Sequence, residues 1–126
     1  MNAEQRKLRQ LDYLEHMLGA IRQARSYADG LAKEDFLADT KTQQAVILNL
    51  MVIGEAASQL VAEFSEFADR HPEVPWKEMR GMRNRMAHGY FDINLDIVWD
   101  TIHVSLPDLE RQIIALSQDG GPHEAG

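Results

Sequence analysis

The chain has 126 residues, enough for one domain with one modest core. Charged residues make up 26% and hydrophobic ones 44%, an ordinary globular balance that excludes a disordered chain, and the absence of cysteine excludes disulfides, thiolate chemistry and zinc–thiolate sites. Thirteen Lys and Arg stand against 20 Asp and Glu, so the formal net charge of −7 argues against a broad nucleic-acid-coating surface and leaves room only for a local basic patch.

The first residues are polar and charged, with no apolar targeting segment, and the longest apolar run, Ala45 to Leu48, is too short to span a bilayer. A cytoplasmic protein with no membrane partner is the expectation. From Glu4 to Asp29, Leu8, Leu11, Leu14, Leu18, Ile21 and Ala28 recur at helical steps and predict an amphipathic helix stopped at Gly30. Arg6, Lys7, Arg9, Arg22 and Arg25 make that helix basic, which reads first as a solvated face. Tyr13 and Tyr27 on it read as packing residues.

Leu31 to Asp39 is a polar connection with room for one helical turn at Lys33 to Leu37. Thr40 as N-cap and Gln43 reaching back fit a capping box. The helix that follows is expected to be the longest, to reach about Phe67 and, being apolar nearly all round from Ala45 to Ala57, to form the buried centre. Gly54 in it permits close approach of another helix. Asn49 reads as a satisfied interior amide. Glu55, among apolar neighbours, calls for an ion pair, since an unpaired buried carboxylate is costly; Arg80 and Arg83 are the candidates it can orient.

Asp69 to Val74 is a loop. Pro75 then suits the first position of a short helix that ends at His88, with Gly89 just past it, where a positive φ costs glycine little. Within residues 77 to 88, Lys77, Arg80, Arg83 and Arg85 face Glu78 alone. Arg80, Asn84 and His88 step by four and share a face, and the long Arg83 can converge on a group held by His88. A guanidinium that grips a phosphate beside an imidazole that moves a proton suits phosphodiester cleavage in RNA. Met79, Met82 and Met86 form a stripe for core or subunit contact. Asp92 and Asn94 offer two N-caps for a last helix to about Ser117, whose apolar face includes Ile97, Val98, Ile102, Leu106, Leu109, Ile113 and Leu116, and which Pro107 should kink or divide. Asp92, Asp96, Asp100 and His103 form an acidic stripe that lacks the second Glu-x-x-His a di-metal bundle needs. Asp12 and His16 are one turn apart but isolated, and His71 and His123 sit in loop or tail contexts. The fold expected is an all-α up-and-down bundle of four main helices with a short extra turn, spanning 1–118, and a flexible tail over 119–126.

Arg83-Asn84-x-x-x-His88 is an Arg-x-x-x-x-His motif with a polar residue after the Arg, and it resembles that of HEPN-domain ribonucleases. With Tyr90 it becomes Arg-x-x-x-x-His-x-Tyr, which looks like the HepT toxins. Ile53-Gly54-Glu55-Ala56, Pro75-Trp76 and Val98-Trp99 extend the similarity from Leu11 to about Leu116. The resemblance implies a metal-independent endoribonuclease toxin of a type VII-like HepT/MntA toxin–antitoxin module, working as a homodimer without a cofactor. It assigns Arg83 and His88 to catalysis, with Asn84, Arg80 and Glu55 in support. Tyr90 matches the tyrosine that an MntA-like nucleotidyltransferase modifies with AMP. A helical module that docks a nucleotidyltransferase without cutting RNA is the alternative. Met82, Met86 and part of the last helix are the expected apolar contacts of the dimer.

Overall fold

The computed structural model describes residues 1–119 and contains, among them, helices and turns but no strand. Its helices are α1 (Ala3–Ala28), α2 (Lys33–Leu37), α3 (Thr40–Glu63), α4 (Ser65–Arg70), α5 (Trp76–His88), α6 (Leu95–Asp100) and α7 (Leu106–Asp119). A 3₁₀ turn, Tyr90–Asp92, follows α5, and a π-helical turn, Thr101–Ser105, joins α6 to α7. This is the all-α bundle expected: α1, α3, α5 and the α6–α7 pair are its four main bodies. Residues 120–126 of the expected tail lie outside the described residues, and Asp119 still belongs to α7.

α3 packs against both α1 and α5, and α7 closes on α1. Met17, Ile21, Leu50, Ile53, Leu60 and Ile113 are fully buried at the centre of the core. Burying a Leu or Ile side chain contributes about 1.5–3 kcal/mol, so this seam, rather than any polar contact, holds the bundle. By length and composition α3 is apolar enough to cross a membrane, which the short run Ala45 to Leu48 did not suggest; in the bundle it serves as the core helix.

Several helix ends differ from the sequence reading. α1 is longer than α3, because Phe64 leaves helical geometry and buries its ring, so the expected run to Phe67 divides into α3 and α4. The cap of α3 is Asp39, not Thr40: its carboxylate accepts from the Thr42 N–H at 3.1 Å and from the Thr42 hydroxyl at 2.6 Å. Those two bonds, the hydroxyl's first, hold the Asp39 carboxyl below its ordinary range. Gln43 instead donates to the carbonyls of Phe36 and Leu37, tying α2 to α3. Gly30 does take a positive φ of 76°, ending α1 as expected. Asn94 is the cap of α6, accepting from the backbone of Asp96 and Ile97.

The last helical body is divided, as expected, just ahead of Pro107: the proline sits at the second position of α7, directly after the π turn that separates α7 from α6. Asn49 is buried and donates to the Ala45 carbonyl at 2.9 Å, the satisfied amide expected of it. Ile97, placed on the apolar face by periodicity, is 54% exposed.

Candidate active site

Two anchors position α5. On its inner side Met79, Met82 and Met86 are all buried, so this stripe belongs to the core. That corrects the expectation that Met82 and Met86 supply a subunit contact. At its start Pro75 is the cap and Trp76 the first helical residue, one later than expected; the indole N–H donates to the His71 carbonyl at 3.1 Å.

The closest approach in the bundle is at Gly54. A Cβ built there would lie 2.2 Å from the Arg83 Cβ and 2.7 Å from the Met79 carbonyl oxygen. Only glycine allows α3 and α5 to touch at this point, and the contact seats Arg83 at the seam between them. Its Nε forms an ion pair with the Glu55 carboxylate at 3.0 Å, and its Nη1 donates to the Asn84 side-chain oxygen at 2.9 Å. Glu55 accepts a further bond, 3.1 Å, from the Gln59 amide. Glu55 is thus the ion-pair partner of Arg83 and not of Arg80. It is also not buried: the side chains of Arg83 and Glu55 are 35% and 45% exposed. Gln59 had no motif to mark it; its spacing of four from Glu55 was the available signal.

Five residues at about 100° each place His88 roughly 140° around the helix from Arg83. The two are therefore not neighbours on one face. The Arg83 guanidinium is bonded to Asn84, which shares its exposed face with Arg80 and His88. Arg80 and His88 are exposed there, and neither has an ion pair or hydrogen bond among the described residues. His88 occupies the last turn of α5. Gly89 caps the helix with φ −120°, so the expected positive φ is absent; a Cβ there would come within 3.1 Å of the Arg85 carbonyl, and space is what the position requires. Tyr90 opens the 3₁₀ turn directly after this cap.

Other candidates separate from the site. Asp96 pairs with Lys33 at 3.1 Å, and the His103 ring stacks on Trp99 at 3.9 Å with its Nδ1 at the Trp99 carbonyl. Among the described residues no group of three or more His, Asp or Glu is placed to hold a metal ion. His16 lies 4.0 Å from Asp12 and His71 3.2 Å from Glu73, while His123 is outside the described residues. Tyr13 is packed and donates its hydroxyl to Glu63 at 2.7 Å, but Tyr27, read as a packing residue, is 44% exposed.

Beside the motif an apolar groove of about 490 Å³ runs between α3 and the 3₁₀ turn, lined among others by Leu48, Met51, Met86, Ala87 and Phe91. Leu48 and Phe91 are 61% and 86% exposed.

A family model described as "Ribonuclease HepT-like" matches residues 17–116. A protein of Caldanaerobacter subterraneus subsp. tengcongensis, provisionally named an RNase, is 40% identical over 84% of this chain and 92% of its own. One from Thermococcus cleftensis, provisionally named ribonuclease HepT, is 39% identical over 79% of this chain and 87% of its own. A third, from Methanocaldococcus jannaschii and also provisionally named an RNase, is 37% identical over 86% and 84%. No solved structure matches the chain.

Proposed function

The chain belongs to the HepT-like ribonuclease family, and from that premise we propose that it is a metal-independent endoribonuclease, the toxin of a module whose antitoxin is an MntA-like nucleotidyltransferase. The observation that carries the reading is the pair of contacts that fix Arg83 on α5: an ion pair with Glu55 and a bond to Asn84, which shares its exposed face with His88.

In this reading Arg83 binds the scissile phosphate and stabilises the charge that builds on it in the transition state. The ribose 2′-oxygen bonds to phosphorus as the bond from phosphorus to the 5′ oxygen breaks. A base takes the 2′-hydroxyl proton and an acid delivers a proton to the leaving oxygen. The products are a 2′,3′-cyclic phosphate and a 5′-hydroxyl, and the need for the 2′-hydroxyl confines the reaction to RNA. His88 serves as one of the two proton carriers. One chain offers one motif histidine, so a homodimer with both motifs facing a shared cleft supplies the other. With the methionines buried, the apolar surface for this pairing comes from exposed Leu48 and Val52 on α3 and from Phe91.

Tyr90 lies two residues beyond His88 and is the AMP acceptor in this proposal. The modification adds a phosphodiester charge and a bulky base beside the phosphate site, opposing RNA by repulsion and by occupancy. RNA cleavage by the parent and by His88→Ala, with the product ends identified, tests the activity. A cyclic phosphate released by the parent alone is expected; intact RNA with the parent chain would leave the docking module as the better reading. The same assay tests control. Tyr90→Phe should cut RNA and resist the antitoxin with ATP, and AMP found on Tyr27 instead would remove Tyr90 from the mechanism.

A further inference from the structure

Several cations of this acidic protein are held in ion pairs. Arg9 bonds Glu63, Arg22 and Arg25 share Glu110, Lys33 meets Asp96 and Arg111 meets Asp108. Lys77, Arg80 and Arg85 on α5 are exposed and, among the described residues, have no such partner. Their helix presents them, with Asn84 and His88, on one outward side, opposite the three buried methionines. Glu78 is the one carboxylate on α5 itself.

In the middle of that side stands Gly81. Its neighbours one turn away include Lys77, Asn84 and Arg85. A glycine inside a helix is among the least favourable residues there, and packing does not explain this one. A Cβ added at Gly54 would collide with Arg83, whereas one added at Gly81 would meet only the Arg85 guanidinium, at 3.6 Å. The glycine therefore leaves a shallow floor, free of side chain, ringed by cations.

We propose that this face of α5 is a track for consecutive phosphates of single-stranded RNA. The inference rests on the ribonuclease reading and extends it from the scissile phosphate to its neighbours. The scissile phosphate sits at Arg83 and His88. Arg80 and Lys77 take the next phosphates toward the start of α5, and the strand lies over Gly81. Successive contacts are about one helical turn apart, a rise of about 5.4 Å, a step of the same order as that between phosphates of an extended strand. In the proposed dimer this face lines the shared cleft and is not itself the contact, because a two-fold contact here would set like against like and bring cations together.

The test uses the full chain, a dinucleoside monophosphate and a single-stranded hexanucleotide of mixed sequence. The parent should cut the hexanucleotide far better than the dinucleotide, and Lys77→Gln/Arg80→Gln should shrink that ratio at least tenfold. In the His88→Ala background, the same pair of changes should lower the slope of log Kd against log salt by about 1.4, about 0.7 for each lost phosphate contact on a single strand. Gly81→Ala should raise Tm while weakening hexanucleotide binding, a combination that a purely structural glycine does not produce. An unaltered salt slope in the double variant overturns the track, as does a Gly81→Ala chain that binds like the parent. A changed oligomeric state with an unaltered slope overturns it too, and assigns the face to a second copy. If the parent neither cuts nor binds the hexanucleotide, the ribonuclease reading falls first and the track with it.

Discussion

Two helices of this protein are basic, α1 and α5, and they spend their charge in opposite ways. On α1, Arg9 bonds Glu63, the Arg6 guanidinium lies 5.1 Å from the centre of the Phe64 ring, and Arg22 and Arg25 reach Glu110 on α7. Those arginines strap α1 to the end of α3 and to α7. On α5 only Arg83 is paired, and its partner, Glu55, sits beside the glycine that seats it. The rest of the α5 charge faces outward. α1 carries the larger number of Lys and Arg, five against four, so what identifies a binding surface is whether tertiary partners have already taken its cations.

Substitutions on the two helices should therefore separate activity from stability. The largest effect is expected at His88→Ala, which should cut RNA cleavage on the order of a hundred- to ten-thousand-fold, the usual contribution of a general acid or base. Arg83→Ala should follow at on the order of a hundred- to a thousand-fold, as for a lost transition-state donor. It keeps the Cβ that touches Gly54, so Tm should hold for both; cleavage at the parental rate by either variant would place the chemistry elsewhere.

Gly54→Ala attacks the seam itself. The added methyl meets the Arg83 Cβ and the Met79 carbonyl, and forcing the helices apart should destabilise the fold by about 1–3 kcal/mol. Because Arg83 moves with α5, cleavage should fall as well, at temperatures where the variant is still folded. Chemical denaturation and an activity assay on the same sample check this, and parental stability would mean that α5 is not pressed on α3 as described.

On α1 the outcome should reverse. Bonds from Arg9, first, and from Tyr13 hold the Glu63 carboxyl below its ordinary range. Glu63 therefore contributes stability that is present above the unfolded-state value, about 4.3, and is lost as pH falls through the lower folded value. Glu63→Gln should lower Tm at neutral pH and flatten its fall in acid, with cleavage unaffected. Arg22→Ala should do least. Its pair with Glu110 is 3.6 Å long and the Arg22 side chain is 57% exposed, so a loss below about 1 kcal/mol is expected. A strong defect in RNA binding by that variant would erase the distinction between the two helices.

The helical pattern was plain from the sequence because apolar residues at steps of three and four have one good solution, burial of that face. The helix ends were less so. Asp39, Thr40 and Thr42 all suit a cap, and which oxygen meets which N–H depends on the path of α2 above them. Gly54 was recognisable as a point of approach, while its contact, Arg83, lies 29 residues further along the chain. Glu55 announced a need for a cation without saying which one, and Gln59 carried no signal beyond its spacing.

By itself the sequence determined the all-α class, the buried centre of α3, the motif from Arg83 to His88 and the family to which it points. These depend on residue type and local spacing, which a single chain displays directly. Tertiary structure alone decided that the methionine stripe is core, that Glu55 belongs to Arg83, and that Arg9, Arg22 and Arg25 of α1 are occupied while Arg80 and Arg85 of α5 stand open. Each of those is a choice among partners distant in the chain. Only the packing of α3 between α1 and α5 brings one candidate within bonding distance and removes the others.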